Sequence, residues 1–243
     1  MTRVIGIVIL ALCLAMPAFA QPFTPAQQAE IVQIVRDALK HDPSILRGAI
    51  ETLQADEGHQ HETATRAAIA ASRDELATAA DPVGGNPAGE VTIVEFFDPR
   101  CPFCRRIEPT MAQLLGHDRS VRLVYKDLPI LGPSSLLGSK ALLAAQRQGG
   151  YEKLRTAMMA GTADITKETI RKDAQLTGLD WPRLEKDMED PSISMQLEKN
   201  VQLAHKLGIE GTPAFVVGET LIPGAVELPE LQKAVEAARP SKG

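Results

Sequence analysis

The chain is poor in cysteine, with three among 243 residues, and one of these, Cys13, lies in the N-terminal apolar stretch. It has no second C-x-x-C to match Cys101 and Cys104. Its five histidines, at 41, 59, 61, 117 and 205, lack the H-x₃₋₅-H spacing of a zinc finger. His59 and His61 are two apart and do not share a face of a helix. A dedicated metal site is therefore not expected. Positive charge is also short, at 26 Lys plus Arg against 31 Asp plus Glu, which makes nucleic acid or an anionic membrane surface a poor partner. The glycines of "DPVGGNPAGE" (81–90) lack both the Gly-Lys-Ser/Thr of a phosphate loop and the G-x-G-x-x-G spacing of a dinucleotide site, so nucleotide chemistry is excluded as well. Beyond the N-terminus no apolar run is long enough to span a bilayer.

What is present begins with a leader. Arg3 is the only early charge, an apolar stretch runs from Val4 to Ala15, and Ala18-Phe19-Ala20 forms an A-x-A site before Gln21. This is the pattern of a cleaved secretory signal over residues 1–20, and the stretch is shorter than the ~20 residues of a membrane span. Leu12 before Cys13 is not the small residue of a lipoprotein signal, so no lipid anchor is expected. Export predicts a periplasmic or extracellular chain, where disulfides persist and a cysteine pair can cycle.

Residues 21–80 predict a helical arm. Thr24-Pro25 and Asp42-Pro43 are start signals, and Ile31, Ile34, Val35, Ala38 and Leu39 form one stripe. Ile45, Leu46, Ala49, Ile50 and Leu53 form a second, after which one long exposed helix is expected. Two such helices make no core of their own, so the arm must pack on the rest of the chain or on copies of itself. The Pro/Gly/Asn-rich 81–90 marks the boundary. "VTIVEFF" then predicts a central strand, apolar on both faces. A helix to about Gly116 follows, with Pro109 placed to kink it. "VRLVYKDL" is a second strand, 133–207 a block of short helices, and "PAFVVG" with "TLIPG" a strand pair before a last helix. This order makes an α/β fold with helices covering a mixed sheet.

In "FFDPRCPFCRRIEP" (96–109) the cysteines stand at a strand-to-helix turn. Unpaired N–H groups and the helix dipole favour an anion at Cys101, and the thiolate is the reactive form. Cys101 is thus expected to be an exposed nucleophile. Cys104, one turn on, would lie sheltered beneath it and resolve the mixed disulfide, while Pro102 fits the first helical turn. Glu95 in the apolar strand would have a raised pKa if buried, making it a proton acceptor for Cys104. The alternative is a solvated position near a strand edge. Lys126, at the end of the second strand, is a candidate partner for Glu95. Thr212-Pro213 opens a strand: a cis bond would hold the Thr212 backbone beside Cys101, whereas an ordinary edge proline would be trans. A structural staple gains little from so small a loop. Capture of a soft metal such as Cu(I) by the two thiolates is the non-enzymatic alternative, a copper-binding or copper-tolerance protein.

"VTIVEFFDPRCPFCRRIEP", "KDLPILGPSS" and "GTPAFVVG" resemble the DsbA-like branch of the thioredoxin superfamily over about residues 81–239. The resemblance implies a thioredoxin fold with a helical insertion at about 133–207, Pro213 in cis, and a redox disulfide in which Cys101 is attacked and Cys104 resolves. It implies that Glu95 and Glu108 tune the site. Phe103 stands where the best-known oxidases of the branch have histidine, which removes a cationic contribution to the thiolate. The arm, with "DPSIL" opening its second helix, is similar to the N-terminal region of ScsC-type relatives, where it drives oligomerisation. The implied activity is that of a periplasmic thiol:disulfide oxidoreductase without cofactor, oxidase or isomerase/reductase. Its substrates would be unfolded or misoxidised exported proteins and its partner a membrane redox protein, DsbB-like for an oxidase or DsbD/ScsB-like for a reductase.

Overall fold

The computed structural model describes residues 23–161 and 164–240. The expected leader, with Cys13, lies outside the described residues. The chain forms two compact units, one ending at Glu57 and the other beginning at Gly58.

The first unit holds α1 (Pro25–His41) and the start of α2 (Ser44–Ala71). Thr24 caps α1 in a reciprocal capping box with Gln27, and Pro25 takes the first turn, where its missing N–H costs nothing. The Asp42 carboxylate accepts the Ser44 N–H at 3.1 Å, so the second start signal also acts. Ile31, Ile34, Val35, Leu39, Ile45, Leu46, Ile50 and Leu53 are all exposed.

The second unit carries a five-stranded sheet in the order β1-β3-β2-β4-β5, from β1 (Val83–Gly85), β2 (Val91–Phe97), β3 (Val121–Asp127), β4 (Ala214–Val217) and β5 (Thr220–Pro223). β2 and β3 are parallel, and the other pairs are antiparallel. β2 lies between β3 and β4, which is why "VTIVEFF" can be apolar on both faces. β1 is a strand where the sequence reads only a boundary. Its glycines carry turn chemistry, yet the free edge of β3 recruits three residues of it. Gly84 is required there, since a side chain would collide with the Tyr125 hydroxyl and the Glu152 carboxylate.

Strand alternation divides the core in two. Val91, Ile93, Phe97, Leu123, Tyr125, Phe215 and Val217 face α4 (Pro102–His117), α5 (Pro133–Gln146), α6 (Tyr151–Ala160), α7 (Lys167–Leu176), α8 (Trp181–Met188) and α10 (Leu228–Ala237). Val94, Phe96, Val124, Ala214 and Val216 face the opposite way. There they meet Ile69 from the end of α2, Leu76 of α3 (Arg73–Leu76), and Leu203, Ala204 and Leu207 from α9 (Pro191–Lys206) and its C-terminal end. Ile69 and Leu76, which sequence reading assigns to the arm, are therefore core residues. The helix α4 runs through Pro109 without interruption.

Candidate active site

The sequence F-D-P-R-C leaves the C-terminal end of β2 in a tight turn held by Asp98. Its backbone carbonyl accepts the Cys101 N–H at 3.0 Å, and its buried carboxylate accepts the N–H groups of Arg100, Ile130 and Leu131 at 2.8, 2.9 and 3.0 Å. One carboxylate so ties the turn before the cysteines to the loop after β3, and makes Cys101 the N-cap of α4, with Pro102 at its first position. Cys104 falls one turn in and is fully buried. Both are free thiols.

Cys101 departs from the expectation of an exposed nucleophile, being only 3% exposed. The turn at Thr212-Pro213, whose peptide bond is cis, lies over it, and its sulfur donates to the Thr212 carbonyl at 3.1 Å. That carbonyl favours the thiol, but it is outweighed. Hydrogen bonding from Cys104 first, then from the Thr212 side chain and the N–H groups of Cys104 and Phe103, brings Cys101 down to about 5 against the opposing effect of burial. The same contact pushes Cys104 well above the usual thiol range, reinforced by burial. The pair is thus split into a thiolate and a firmly protonated thiol. No cation is needed at Phe103, which is 49% exposed with the Arg106 guanidinium 4.9 Å from its ring centre.

Glu95 is wholly buried, not at an edge, and burial outweighs its cation to push it up to about 7. That cation is not Lys126. In the parallel register Glu95 lies opposite Tyr125 and Lys126 opposite Phe96, so side-chain alternation places Glu95 and Lys126 on opposite faces of the sheet. Lys126 instead donates to the Asp81 carboxylate and the Glu75 carbonyl, both at 2.8 Å. The partner of Glu95 is Arg155 on α6, at 3.2 Å, and Arg155 also pairs with Glu108 through a 2.8 Å bond. Its guanidinium carbon lies over the rings of Phe97 and Tyr125, 4.6 and 4.5 Å from their centres.

Sequence reading missed Arg155, although a signal exists. Tyr151, Leu154, Arg155 and Met158 fall at i, i+3, i+4 and i+7, so the arginine stands on the buried stripe of α6. It also passed over Asp98, and Asp127, which is wholly buried, accepts from Tyr151 at 2.8 Å and is pushed by burial up to about 7. Among the described residues no group of three or more His, Cys, Asp or Glu is arranged to hold a metal ion.

The arrangement supports attack by or on Cys101, proton uptake by Glu95, and closure of a Cys101–Cys104 bond. Residues 77–237 match the family model described as Thioredoxin. A thioredoxin-like oxidoreductase from Silicibacter pomeroyi is 43% identical, with a TM-score of 0.65 over 66% of this chain and 93% of that one. Proteus mirabilis ScsC in a transitional conformation is 30% identical, with a TM-score of 0.65 over 89% of this chain and 98% of that one. The thiol:disulfide interchange protein DsbA of Bordetella parapertussis is 28% identical over 142 residues, 56% of this chain and 68% of its own length. The chain spans about a quarter of the length of other curated relatives, Na(+)/H(+) antiporters NhaA of Salinispora, of which it covers 24%.

Proposed function

Because the chain belongs to the thioredoxin family, in its DsbA-like branch, we propose that it is a thiol:disulfide oxidoreductase of exported proteins, acting through a mixed disulfide at Cys101 that Cys104 resolves. The observation that carries this reading is the placement of the pair: Cys101 is the N-cap of α4 with the Thr212 carbonyl 3.1 Å from its sulfur, and Cys104 is fully buried one turn on, an arrangement that holds Cys101 low and pushes Cys104 up. Only the first sulfur is a nucleophile at neutral pH, so attack and resolution have separate groups.

The expected leader over residues 1–20 supports a periplasmic location. No helix among the described residues is long and apolar enough to cross a membrane. The exposed stripe of the arm supports self-association, and hence an isomerase or reductase that works as the dithiol and is reduced by a membrane redox partner. One observation favours the oxidase direction: stabilising the Cys101 thiolate stabilises the reduced protein, which makes its disulfide a better oxidant. A copper-handling role would leave Glu95, Arg155 and Thr212 without a purpose beside the sulfurs.

Alkylation of thiols in living cells tests the direction. A pair found reduced supports the isomerase or reductase, and a pair found oxidised supports the oxidase.

A further inference from the structure

We propose that Arg155 is a positioning residue of the redox centre, a single buried guanidinium shared by Glu95 and Glu108 that keeps Glu95 able to exchange a proton with Cys104. The inference rests on the oxidoreductase reading and assigns a role to the helical insertion, which supplies this cation from α6.

The geometry leaves little freedom. One Arg155 Nη lies 3.2 and 3.3 Å from the two Glu95 oxygens, and the same nitrogen and its twin reach both oxygens of Glu108. The guanidinium carbon lies over both rings, Phe97 and Tyr125, whose centres are themselves 6.1 Å apart in an edge-on arrangement. A lysine has one nitrogen in place of the two that reach the four carboxylate oxygens here. Glu95 is fully buried, whereas the side chain of Glu108 is 27% exposed, so the guanidinium joins a carboxylate of the interior to one at the surface. The titratable groups around Glu95 are Cys104 and Glu108 from α4, Tyr125 from β3 and Arg155 from α6.

Buried without a cation, Glu95 would hold its proton throughout the neutral range and could not accept another. Arg155 lowers it and Glu108 raises it, leaving it at about 7. In resolution, the Cys104 S–H gives its proton to the Glu95 carboxylate, and the thiolate formed attacks the Cys101 sulfur of the mixed disulfide. The Cys101–substrate S–S bond breaks, the Cys101–Cys104 bond forms, and the substrate leaves as a thiolate. Over the full cycle two electrons pass from the protein dithiol to the substrate disulfide. Oxidation of a substrate is the same step reversed, with Glu95 returning the proton.

The sharing predicts two substitutions of opposite sign. Arg155→Met removes the cation and raises the Glu95 midpoint by a unit or more. Glu108→Gln removes the repelling charge, leaves the guanidinium to Glu95 alone and lowers it. Arg155→Lys keeps the charge and returns part of the shift. The experiment is a carboxyl ¹³C NMR titration of the reduced full chain, run beside the pH profile for release of a small thiol from its mixed disulfide with Cys101. Opposed shifts in both readouts support the proposal. Shifts of the same sign, or none, overturn it, and Glu108→Gln decides even where Arg155→Met does not fold. A chain that shows the opposed titration shifts yet releases no thiol at any pH contradicts the oxidoreductase reading instead.

Discussion

The Cys101 sulfur lies 3.1 Å from the carbonyl oxygen of Thr212, a contact between residues 111 apart in sequence. It brings the loop before β4 onto the N-terminus of α4 and puts a backbone acceptor on the reactive sulfur, while hydrogen bonding from Cys104 first, and then from the Thr212 side chain, holds the Cys101 thiol low against burial. In the reduced protein, Cys101 should therefore react with iodoacetamide with a midpoint near pH 5. Thr212→Ala removes the side-chain donor and should move that midpoint upward, with Cys104 unreactive throughout. A midpoint near the ordinary thiol value of about 8.5 would contradict the hydrogen-bond account.

Asp127 supplies a test of burial. Its carboxyl is raised from 3.8 to about 7 because it is wholly buried. Between those values the folded chain holds a proton that the unfolded chain has released, so stability falls as pH rises through that window and levels above it. Asp127→Asn should remove about 4 kcal/mol of the loss between pH 4 and pH 8, as three units at 1.36 kcal/mol each. Urea unfolding at the two pH values measures it, and an unchanged difference would contradict the assignment. Glu95, raised to about 7 in the same way, should leave a second fall over a similar window.

Lys126 and Asp81 form a buried pair on the sheet face away from the cysteines. Asp81→Ala leaves an uncompensated buried ammonium and should cost about 3–5 kcal/mol in denaturant unfolding. Lys126→Met should leave the Cys101 titration where it is, since the strand alternation that separates Lys126 from Glu95 also keeps it from the sulfur. A shifted Cys101 midpoint would contradict the register.

What the sequence allows to be read follows from which constraints are local. The strand β2 carries its central position in its own apolar faces, and the N-cap of α4 lies within Cys101-Pro102. Both are legible from neighbouring residues. The Thr212 contact and the Glu95–Arg155 pair are not local: the second joins residues 60 apart across the sheet and the helical insertion. Lys126 was the natural partner by type but faces the wrong way, because one residue of strand register reverses a side chain. The β1 residues carry turn chemistry, and only the open edge of β3 makes them a strand. Covering of Cys101 depends on a turn more than 100 residues away, so exposure was the natural local expectation.

The arm gives a prediction on mass. Its apolar residues from Ile31 to Leu53 are exposed, while Ile69 and Leu76 belong to the core of the second unit. Light scattering should show a multiple of the monomer mass for the chain lacking its leader, and the monomer mass for a chain beginning at Gly58. Equal, monomeric masses would remove the arm's proposed role.

The central claim is that Cys101 forms the mixed disulfide and Cys104 resolves it. Cys104→Ala in cells should accumulate exported proteins joined to Cys101 through bonds that dithiothreitol releases, and adding Cys101→Ala should abolish them. No reducible conjugates with Cys104→Ala, or the same conjugates after loss of Cys101, would contradict the account.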